Sequence, residues 1–390
     1  MQLLIVTDHR FQQTTHGVFD SYCFGYDFFA DYLDVFDHVT VAARMTQVLA
    51  PTGHRADGPG LQFMALPDQR GPRWAVAALA GRRRLDEALR AADAVCLRIP
   101  SLAAVATLRA IDAHKLPVMF EMIGDPVEAV RGSRLVTRAL GGALGSWIVR
   151  QVIRRASVGS YVSDQHLQRR YPAAAHVTTE QISSIRLPAS QILAPKVFQR
   201  APEPLRVILV ASFMPVKAHE VLIRATAIAC ARGVQIKLTL VGDGPCRGAA
   251  EDLVRRLALA ESVTFTGHVA ERAQVFELLD GCDLFAMSSI SEGMPRAMIE
   301  AMSRGLPAIG SDAPGIAELL PATQRFRIGR HDQLAELMVR LSRNPQLLSE
   351  LATTSHAIAL RFEQNTLRAR RRRLLLELRE RATAKRQGGI

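Results

Sequence analysis

Two carboxylates in the second half of the chain have the residue type and spacing to bind a ligand that carries both phosphates and hydroxyls. Glu292 lies in a Gly/Pro turn, and Glu300 follows eight positions later in a segment with a helical pattern. Pro295 suits the first turn of that helix, and Gly305 suits its C-terminal stop. The positive end of a helix and its free backbone N–H groups favour phosphate. We therefore predict a phosphate-binding site at the start of this helix, with Glu292 before it and Glu300 after it.

The glutamate spacing alone is weak evidence, because two helical glutamates are commonly just solvated. The residues that precede it support a binding site. Lys217 follows a predicted strand, where its ammonium can pair with a diphosphate, and the stretch LVGDGP places Gly242 in a strand-to-helix turn. Gly293 lets the backbone approach a ligand closely. These residues together predict that the loops at one end of a sheet bind a diphosphate.

Parallel sheets are the elements that the pattern predicts for positioning these residues. Apolar runs such as LLIVTDH and RVILVAS read as buried strands followed by loops, and they alternate with helical patterns such as AVAALAGRRRLDEALRAA. We expect an α/β protein with two doubly wound, Rossmann-like domains that face a crevice. The predicted divisions are a first domain over 1–187, a Pro-rich linker over 188–204, a second domain over 205–354 and a basic helix over 355–390.

The composition fits a soluble globular protein of two domains. The chain has 390 residues, of which 48% are hydrophobic and 22% are charged. The five cysteines show no metal-binding spacing, which favours a reducing compartment and argues against structural zinc. The first ten residues lack a basic region and a cleavage site, and no apolar run is long enough to cross a membrane. We expect a cytoplasmic protein, or one at the inner face of a membrane.

The net charge of +12 is concentrated at the C-terminus. Ten Lys or Arg and only three Glu lie between Arg361 and Arg386, in what reads as one long helix from about 355 to 386. Two interpretations stay open, a solvated helical face and a contact with an anionic membrane surface through Arg370 to Arg373. Nucleic-acid binding is a weaker alternative, because no aromatic side chain that could stack on a single strand lies among the arginines from 368 to 386.

The segment from about Arg206 to Leu341 resembles the nucleotide-binding half of family-4 retaining glycosyltransferases, which have the GT-B fold. The resemblance is carried, in order, by MPVKAHEVLI, LVGDGP, VTFTGHV and SEGMPRAMIEAMSRGLPAIGSDAPGIAELL. It is similar in particular to bacterial polysaccharide-assembly members. The resemblance also implies that the basic C-terminal helix over 355–390 crosses back to the N-terminal domain. The Glu-x7-Glu motif of that family maps onto Glu292 and Glu300.

The resemblance implies a role for each matched residue. Glu300 would bind the ribose of a nucleotide sugar, and Lys217 would neutralise the diphosphate leaving group. Glu292 and the nearby amides would hold the donor sugar and its phosphates. The remaining residues implied in donor binding are Gly293, Met294 and Arg296 beside the phosphates, Ser212 and Gly242 in the preceding loops, and His268 and Val269 flanking the base.

One departure from the family concerns the diphosphate. The family usually has Gly-Arg at the end of the strand before the lysine, whereas this chain has Ala211 and Ser212. A lost charge-assisted phosphate contact would lower binding or rate roughly 10- to 1000-fold unless another cation replaces it. Arg296 and Arg247 are the candidate replacements by position. The family also usually has two glycines in the loop after the next strand, whereas this chain has Pro314-Gly315 and keeps only one of them.

The N-terminal half resembles the family less closely. Gly17 stands where a glycine loop would approach the donor phosphate, and Asp125, in EMIGDPVEAV, would contact the reacting sugar or the acceptor. The alternative for Asp125 is that it only caps the turn ahead of Pro126. Many relatives have a histidine before that aspartate, and here the position is Gly124.

The resemblance implies transfer of a sugar from a nucleoside diphosphate sugar to an acceptor hydroxyl of a glycan, polysaccharide or lipid-linked intermediate, with retention of anomeric configuration. Lys217, Glu292 and Asp125 are the expected catalytic residues. We expect neither a cofactor nor a metal ion, since no Asp-x-Asp motif is present. The alternatives are a catalytically inert GT-B partner subunit and a nucleotide-sugar epimerase of the same fold. Nothing in the sequence identifies the sugar, the base or the acceptor.

Overall fold

The computed structural model describes residues 1–21, 24–66, 83–129 and 135–388, and the chain forms two compact units. Unit 1 comprises Met1–Ser184 together with Leu367–Ile390, and unit 2 comprises Ile185–Thr366. The chain therefore begins and ends in unit 1. The predicted α/β class with parallel sheets is confirmed in both units.

Unit 1 is built on a nine-stranded sheet whose central strands run in parallel. The strand AVCLRI (Ala94–Ile99) is buried along its whole length, as expected for a strand covered on both faces. The strands are β1 (Gln2–Thr14), β2 (Gly17–Asp20), β3 (His38–Gln47), β4 (His54–Arg55), β5 (Leu61–Leu66), β6 (Ala94–Ile99), β7 (Val118–Met122), β8 (Val158–Tyr161) and β9 (Thr178–Gln181).

The helices of unit 1 follow the strands in the order expected of βαβ units. Residues 83–91 are helical, and the rest of the predicted helix AVAALAGRRRLDEALRAA lies outside the described residues. The helices are α1 (Tyr26–Leu33), α2 (83–91), α3 (Ala103–His114), α4 (Pro126–Ala129), α5 (Leu135–Ile153) and α6 (His166–Arg170).

The first strand corrects the expectation of a short strand followed by a loop. β1 continues to Thr14, with an irregularity in its pairing between Val6 and Arg10, and turns into an antiparallel hairpin with β2. Pairing with β2 and with the distal half of β3 gives the polar residues after Asp8 backbone partners, so the strand does not end where the apolar run ends.

Unit 2 has a six-stranded parallel sheet in the order β12-β11-β10-β13-β14-β15. Its strands are β10 (Leu205–Val210), β11 (Ile236–Val241), β12 (Val263–Gly267), β13 (Leu284–Met287), β14 (Ala308–Ser311) and β15 (Arg325–Phe326). The order reverses between β10 and β13, and doubly wound sheets bind ligands at the carboxyl ends of the strands at such a point.

Helices connect the strands of unit 2 and extend beyond the sheet. They are α7 (His219–Ala231), α8 (Arg247–Arg256), α9 (Arg272–Asp280), α10 (Arg296–Ser303), α11 (Pro314–Leu319), α12 (His331–Ser342) and α13 (Pro345–Leu360). The predicted end of α10 is confirmed, because Gly305 follows it with a φ of 73°.

The segment predicted as a linker lies within unit 2. The Lys196 ammonium donates to the carbonyl oxygens of Asp280, at 2.6 Å, and of Cys282, and the backbone N–H of Leu193 donates to the Ser303 carbonyl. These bonds attach the Pro-rich stretch to the ends of α9 and α10.

The C-terminal region corrects the expectation of one helix from about 355 to 386. α13 ends at Leu360, and a new helix, α14 (Gln364–Arg386), begins after a short break. Phe362 is buried in the break, and Glu363 pairs with Leu187 and caps α14 by accepting from the Thr366 N–H at 3.0 Å. Burial of Phe362 and the Glu363 cap together interrupt the helix.

The arginines of α14 bind unit 1. Arg371 is buried and contacts Asp31 at 2.6 Å, while Arg370 donates to the Gln181 side chain at 2.8 Å and Arg373 to Glu180 at 2.6 Å. The apolar side of the same helix enters the core of unit 1 through Leu374, Leu375 and Leu378. Much of the C-terminal basic run therefore contacts unit 1, the part of the chain to which the resemblance implied that the last helix crosses back.

No helix in the described ranges combines the length and the apolar character needed to cross a membrane.

Candidate functional site

The candidate site is built on the two loops that leave β10 and β13, the neighbouring strands where the order of the unit 2 sheet reverses. The loops are joined to each other. The Ser288 hydroxyl donates to the Ala218 carbonyl at 2.9 Å, and the Ile290 N–H donates to the Val216 carbonyl at 2.8 Å. Ala218 has a φ of 46°, which turns the chain sharply into α7. The side chains at the two loop ends are thereby held beside each other.

Lys217 and Glu292 meet at this junction. The Lys217 ammonium donates to Glu292 Oε1 at 2.6 Å, and the Ser289 hydroxyl donates to the same oxygen at 2.7 Å. The two charged side chains are 22% and 9% exposed. A mostly buried ion pair of this kind orients its cation and keeps it at one place in the crevice of the sheet.

The turn before α10 presents backbone donors beside this pair. Within the part of the chain that the structure describes, the N–H groups of Gly293, Met294 and Arg296 donate to no backbone acceptor. Gly315 packs against this turn. Its N–H donates to the Glu292 carbonyl at 3.0 Å, and a Cβ at this position would lie 2.4 Å from the Gly293 carbonyl oxygen. The arrangement can bind an anion at the positive end of α10.

Glu300 lies one helix turn further along α10, mostly buried, with Arg272 of α9 as its charged neighbour. Arg272 Nη2 lies 3.2 Å from Glu300 Oε1, and the guanidinium also packs over the Phe276 ring with 4.9 Å to the centroid. Burial raises the pKa of Glu300, and the charges of Arg272 and Arg296 oppose that rise. A mostly buried carboxylate of this kind is suited to accept hydrogen bonds from ligand hydroxyls.

The glycine loop after β11 comes close to the end of β10. Gly242 has a φ of 135°, and a Cβ there would lie 2.1 Å from the Ala211 carbonyl oxygen, so only glycine fits. Ser212, where the related family has arginine, is exposed. Of the two candidate replacements, Arg247 is engaged with Glu251 at 2.8 Å and Asp243 at 3.3 Å. Arg296, at the start of α10, is exposed and thus better placed to serve a phosphate.

The two residues predicted to flank the base follow β12. His268 is exposed and Val269 is half-buried in the loop that leads from Gly267 to α9. The same loop carries the chain to Arg272. Lys217, Glu292, Glu300 and the predicted donor-binding residues other than Gly17 thus all lie in unit 2.

His219, the first residue of α7, is a buried side chain that the sequence interpretation did not use. Its ring stacks on Phe213 with 3.9 Å between centroids. Burial, reinforced by the nearby Lys217 ammonium, lowers the pKa of His219 to about 4. The imidazole is therefore neutral near pH 7, and Lys217 is the cation at this end of the loop.

Asp125 and Gly17 lie in unit 1. Asp125 Oδ1 accepts from the Val127 N–H at 2.9 Å and from the Tyr171 hydroxyl at 3.1 Å, and Oδ2 lies 3.1 Å from Arg170 NH1. The capping contact is the alternative that the sequence left open. A role for Asp125 toward sugar or acceptor stays a prediction.

Gly17 lies between β1 and α1. It starts β2 in the hairpin after β1, with a φ of 148°. Its predicted approach to a donor phosphate is untested.

Three side chains of the site were missed by the sequence interpretation. Ser289 contacts the Glu292 carboxylate, Ser311 donates to the Ser289 carbonyl at 2.5 Å, and Arg272 faces Glu300. A serine pair at a strand end is a weak local signal. Arg272 carries none, because nothing local indicates that the start of α9 faces α10. Among the residues described, no group of three or more His, Cys, Asp or Glu could hold a metal ion.

Comparison with known proteins agrees with this geometry. Residues 191–356 match the family model described as glycosyl transferases group 1, a range that includes both loops of the site and all of α10. The chain is 23% identical to Protein CapJ of Staphylococcus aureus over 337 residues, which cover 84% of this chain and 83% of CapJ. It is 29% identical to the amylovoran biosynthesis glycosyltransferase AmsK of Erwinia amylovora over 149 residues, 36% of each chain.

Solved structures share the fold over nearly the whole length. The crystal structure of Anabaena Alr3699/HepE in complex with UDP superposes with a TM-score of 0.66 and 19% identity, covering 95% of this chain and 98% of that one. The predicted GT-B fold is thereby confirmed. Residues 191–356 are thus similar to the glycosyl transferases group 1 family, and the chain has the GT-B fold.

Proposed function

We propose that the protein transfers a sugar from a nucleoside diphosphate sugar to an acceptor hydroxyl, with retention of the anomeric configuration. The observation that carries the proposal is the Lys217–Glu292 pair, 2.6 Å apart, at the reversal point of the unit 2 sheet and next to the amides that precede α10. Cation, helix end and carboxylate supply the chemistry that a diphosphate and a sugar require. The HepE structure in complex with UDP supports a nucleotide ligand by analogy.

Lys217 and the turn amides act on the leaving group in this proposal. The bond between the anomeric carbon and the diphosphate oxygen breaks, and its electron pair goes to that oxygen. The growing negative charge on that oxygen is stabilised by the Lys217 ammonium and by the N–H groups of Gly293, Met294 and Arg296. Because these donors are already oriented, the stabilisation lowers the barrier. The acceptor oxygen then bonds to the anomeric carbon on the face that the diphosphate leaves, and its proton departs with solvent or diphosphate.

Glu292 and Glu300 position the two ends of the donor. Glu292, fixed by Ser289 and Lys217, faces the sugar, and Glu300 accepts from the ribose hydroxyls. A carboxylate that accepts hydroxyl donors forms charge-assisted bonds that are stronger than neutral ones. Asp125 remains the proposed contact of unit 1 with the sugar or acceptor, and metal independence remains a prediction that activity in excess EDTA would test.

Lys217→Ala and Glu300→Ala test the proposal. Each change should weaken donor binding or transfer at least about tenfold, the scale of one lost charged contact. Isothermal titration with a panel of nucleotides and nucleotide sugars measures binding, and product analysis measures transfer and anomeric configuration. Asp252→Ala, in α8, is the matched control, since it removes an exposed carboxylate whose ion pair is with Arg255 of the same helix. Near wild-type transfer by both site variants would refute the assignment.

The same titration separates the alternatives. An inert partner subunit would bind none of the panel, and an epimerase would convert the donor with no acceptor present. The acceptor is proposed to be a polysaccharide or a lipid-linked precursor, because AmsK is named for the biosynthesis of a polysaccharide. Transfer to extracted glycan or lipid-linked acceptor, compared in parallel, identifies the class.

A further inference from the structure

Helix α5 of unit 1 has one face that is packed tightly inside the protein. A Cβ at Gly145 would lie 2.6 Å from Pro126 Cβ, so the glycine lets α4 come against the α5 backbone. Further along, Val149 and Val152 are fully buried in the core of unit 1. This side of α5 fixes the rotation of the helix and thereby determines which side chains face outward.

The outward face carries large apolar side chains. Leu140, Leu144 and Trp147 are 68%, 52% and 49% exposed, and their spacing of four and three residues places them on one side of the helix. Single exposed leucines are ordinary on protein surfaces, but a stripe that includes a tryptophan marks a contact site.

Basic residues continue the same side of the helix. Arg150 and Arg154 are exposed in the two turns after Trp147, and α5 contains no Asp or Glu between Leu135 and Ile153. Helical periodicity places Arg154 in line with the stripe and Arg150 at its border. The face is therefore apolar and basic, without an opposing charge of its own.

The apolar and basic character of this face indicates which kind of partner binds it. Anionic lipid offers an apolar interior to the leucines, an interfacial layer to the tryptophan and negative headgroups to the arginines. A second copy of the chain is a poorer match, because a symmetric contact would bring the same arginines together on proteins of net charge +12.

We propose that the outward face of α5, formed by Leu140, Leu144, Trp147, Arg150 and Arg154, binds the surface of an anionic membrane. The helix lies in the interface with its apolar stripe among the headgroups and upper acyl chains, and it does not cross the bilayer. The proposal moves the membrane contact expected from the sequence away from α14, where Arg370, Arg371 and Arg373 are occupied within unit 1. It holds whether or not the donor is the one proposed above.

Vesicle sedimentation and tryptophan emission test the proposal on the full chain. The chain has two tryptophans, so Trp74→Phe leaves Trp147 as the single reporter. With phosphatidylglycerol/phosphatidylethanolamine vesicles, the emission should shift to the blue and the protein should sediment. Leu140→Ser/Leu144→Ser/Trp147→Ser should lower the partition coefficient at least about tenfold, because burial of the three side chains is lost. Arg150→Gln/Arg154→Gln should lower it about tenfold at low salt and less at high salt.

Two matched controls separate this face from others. Leu49→Ser/Val197→Ser removes exposed apolar side chains outside α5, and Arg372→Gln removes an exposed arginine of α14. Neither should change binding, and thermal unfolding checks that each variant is folded. The proposal is overturned if vesicles do not bind the protein, or if the triple serine variant binds as well as the parent. It is also overturned if sedimentation equilibrium shows a dimer that the triple variant abolishes while vesicle binding stays absent.

Discussion

At the scale of single residues, the charge of Arg272 opposes the burial that raises the pKa of Glu300. The Glu300 carboxyl is mostly buried, which favours its protonated form, and the charges acting on it in the described chain are Arg272 from α9 and Arg296 from its own helix. Its pKa is raised in the folded protein. The carboxyl therefore contributes stability that is full below its unfolded pKa and is lost as pH rises through the folded pKa. In the proposed function, donor binding has the opposite dependence, because the ribose hydroxyls would donate to the ionised form of Glu300.

We predict that donor affinity falls as pH is lowered through the raised pKa of Glu300, and that Glu300→Gln removes this dependence. Arg272→Gln should move the midpoint upward by at most about one pH unit, since the ion pair is partly exposed. Arg272→Lys keeps the positive charge, so its midpoint should stay close to that of the parent protein. Titration calorimetry at several pH values distinguishes an effect of Arg272 on the pKa of Glu300 from a direct contact between Arg272 and the nucleotide. Loss of a direct contact would lower the affinity equally at every pH.

The residue scale also shows what a local pattern can predict. The positions of Glu292, Lys217 and Glu300 could be predicted, because a glycine turn, a strand end and a helix start in the neighbouring sequence determine where these residues lie. Their roles stay predictions. Arg272, Ser289 and Ser311 were not predicted, because their roles depend on partners far along the chain or on the packing of α9 beside α10. The alternative for Asp125 was identifiable because an aspartate directly before Pro126 is a local capping arrangement.

At the scale of elements, α11 supports the turn before α10 through a glycine. We predict that Gly315→Ala displaces the Gly293 carbonyl, since the added Cβ would lie 2.4 Å from its oxygen. The change should cost about 1–3 kcal/mol of stability and lower donor affinity several-fold, as the turn amides move. Gly248→Ala in α8 is the matched control, because a Cβ there meets no atom within 4 Å. A normal affinity in Gly315→Ala would show that the turn does not hold the donor.

The attachment of α14 gives a second element-scale prediction. Arg371 is buried between Asp31, Tyr32 and Glu121, and Arg98 pairs with Glu121 from the neighbouring strand. Arg371→Ala leaves buried carboxylates without one of their two cations and should destabilise unit 1 by about 3–5 kcal/mol. Arg372→Ala, one residue away and exposed, should change stability by less than about 0.5 kcal/mol. Urea unfolding followed by circular dichroism measures both, and equal midpoints would refute the role of the network.

The elements themselves were predictable where apolar periodicity is strong, as in β6, β13 and α7. The hairpin of β1 and β2 was not, because the residues after Asp8 are polar and pair only through the backbone. The break between α13 and α14 was not predicted from the sequence, for a related reason. Glutamine, leucine and arginine on both sides are good helix formers, and only burial of Phe362 and the Glu363 cap interrupt the run.

At the scale of the whole molecule, two units with separate cores should unfold separately. We predict two transitions in scanning calorimetry, with UDP raising only the one that belongs to unit 2, because a ligand stabilises the state it binds. The fragment 185–366 should show the UDP-sensitive transition alone. A single transition in the full chain that UDP does not move would contradict both the separation and the placement of the donor site.

Unit 1 is discontinuous in sequence, and this has a consequence for biosynthesis. The chain leaves the ribosome from its N-terminus, and domains usually fold in that order. Here Leu374, Leu375 and Leu378 complete the core of unit 1, so part of its hydrophobic surface stays uncovered until α14 has been made. Unit 2 is complete earlier, once Thr366 has emerged. The nascent protein thus finishes its second unit first, and an interrupted or truncated translation product would expose an aggregation-prone first unit.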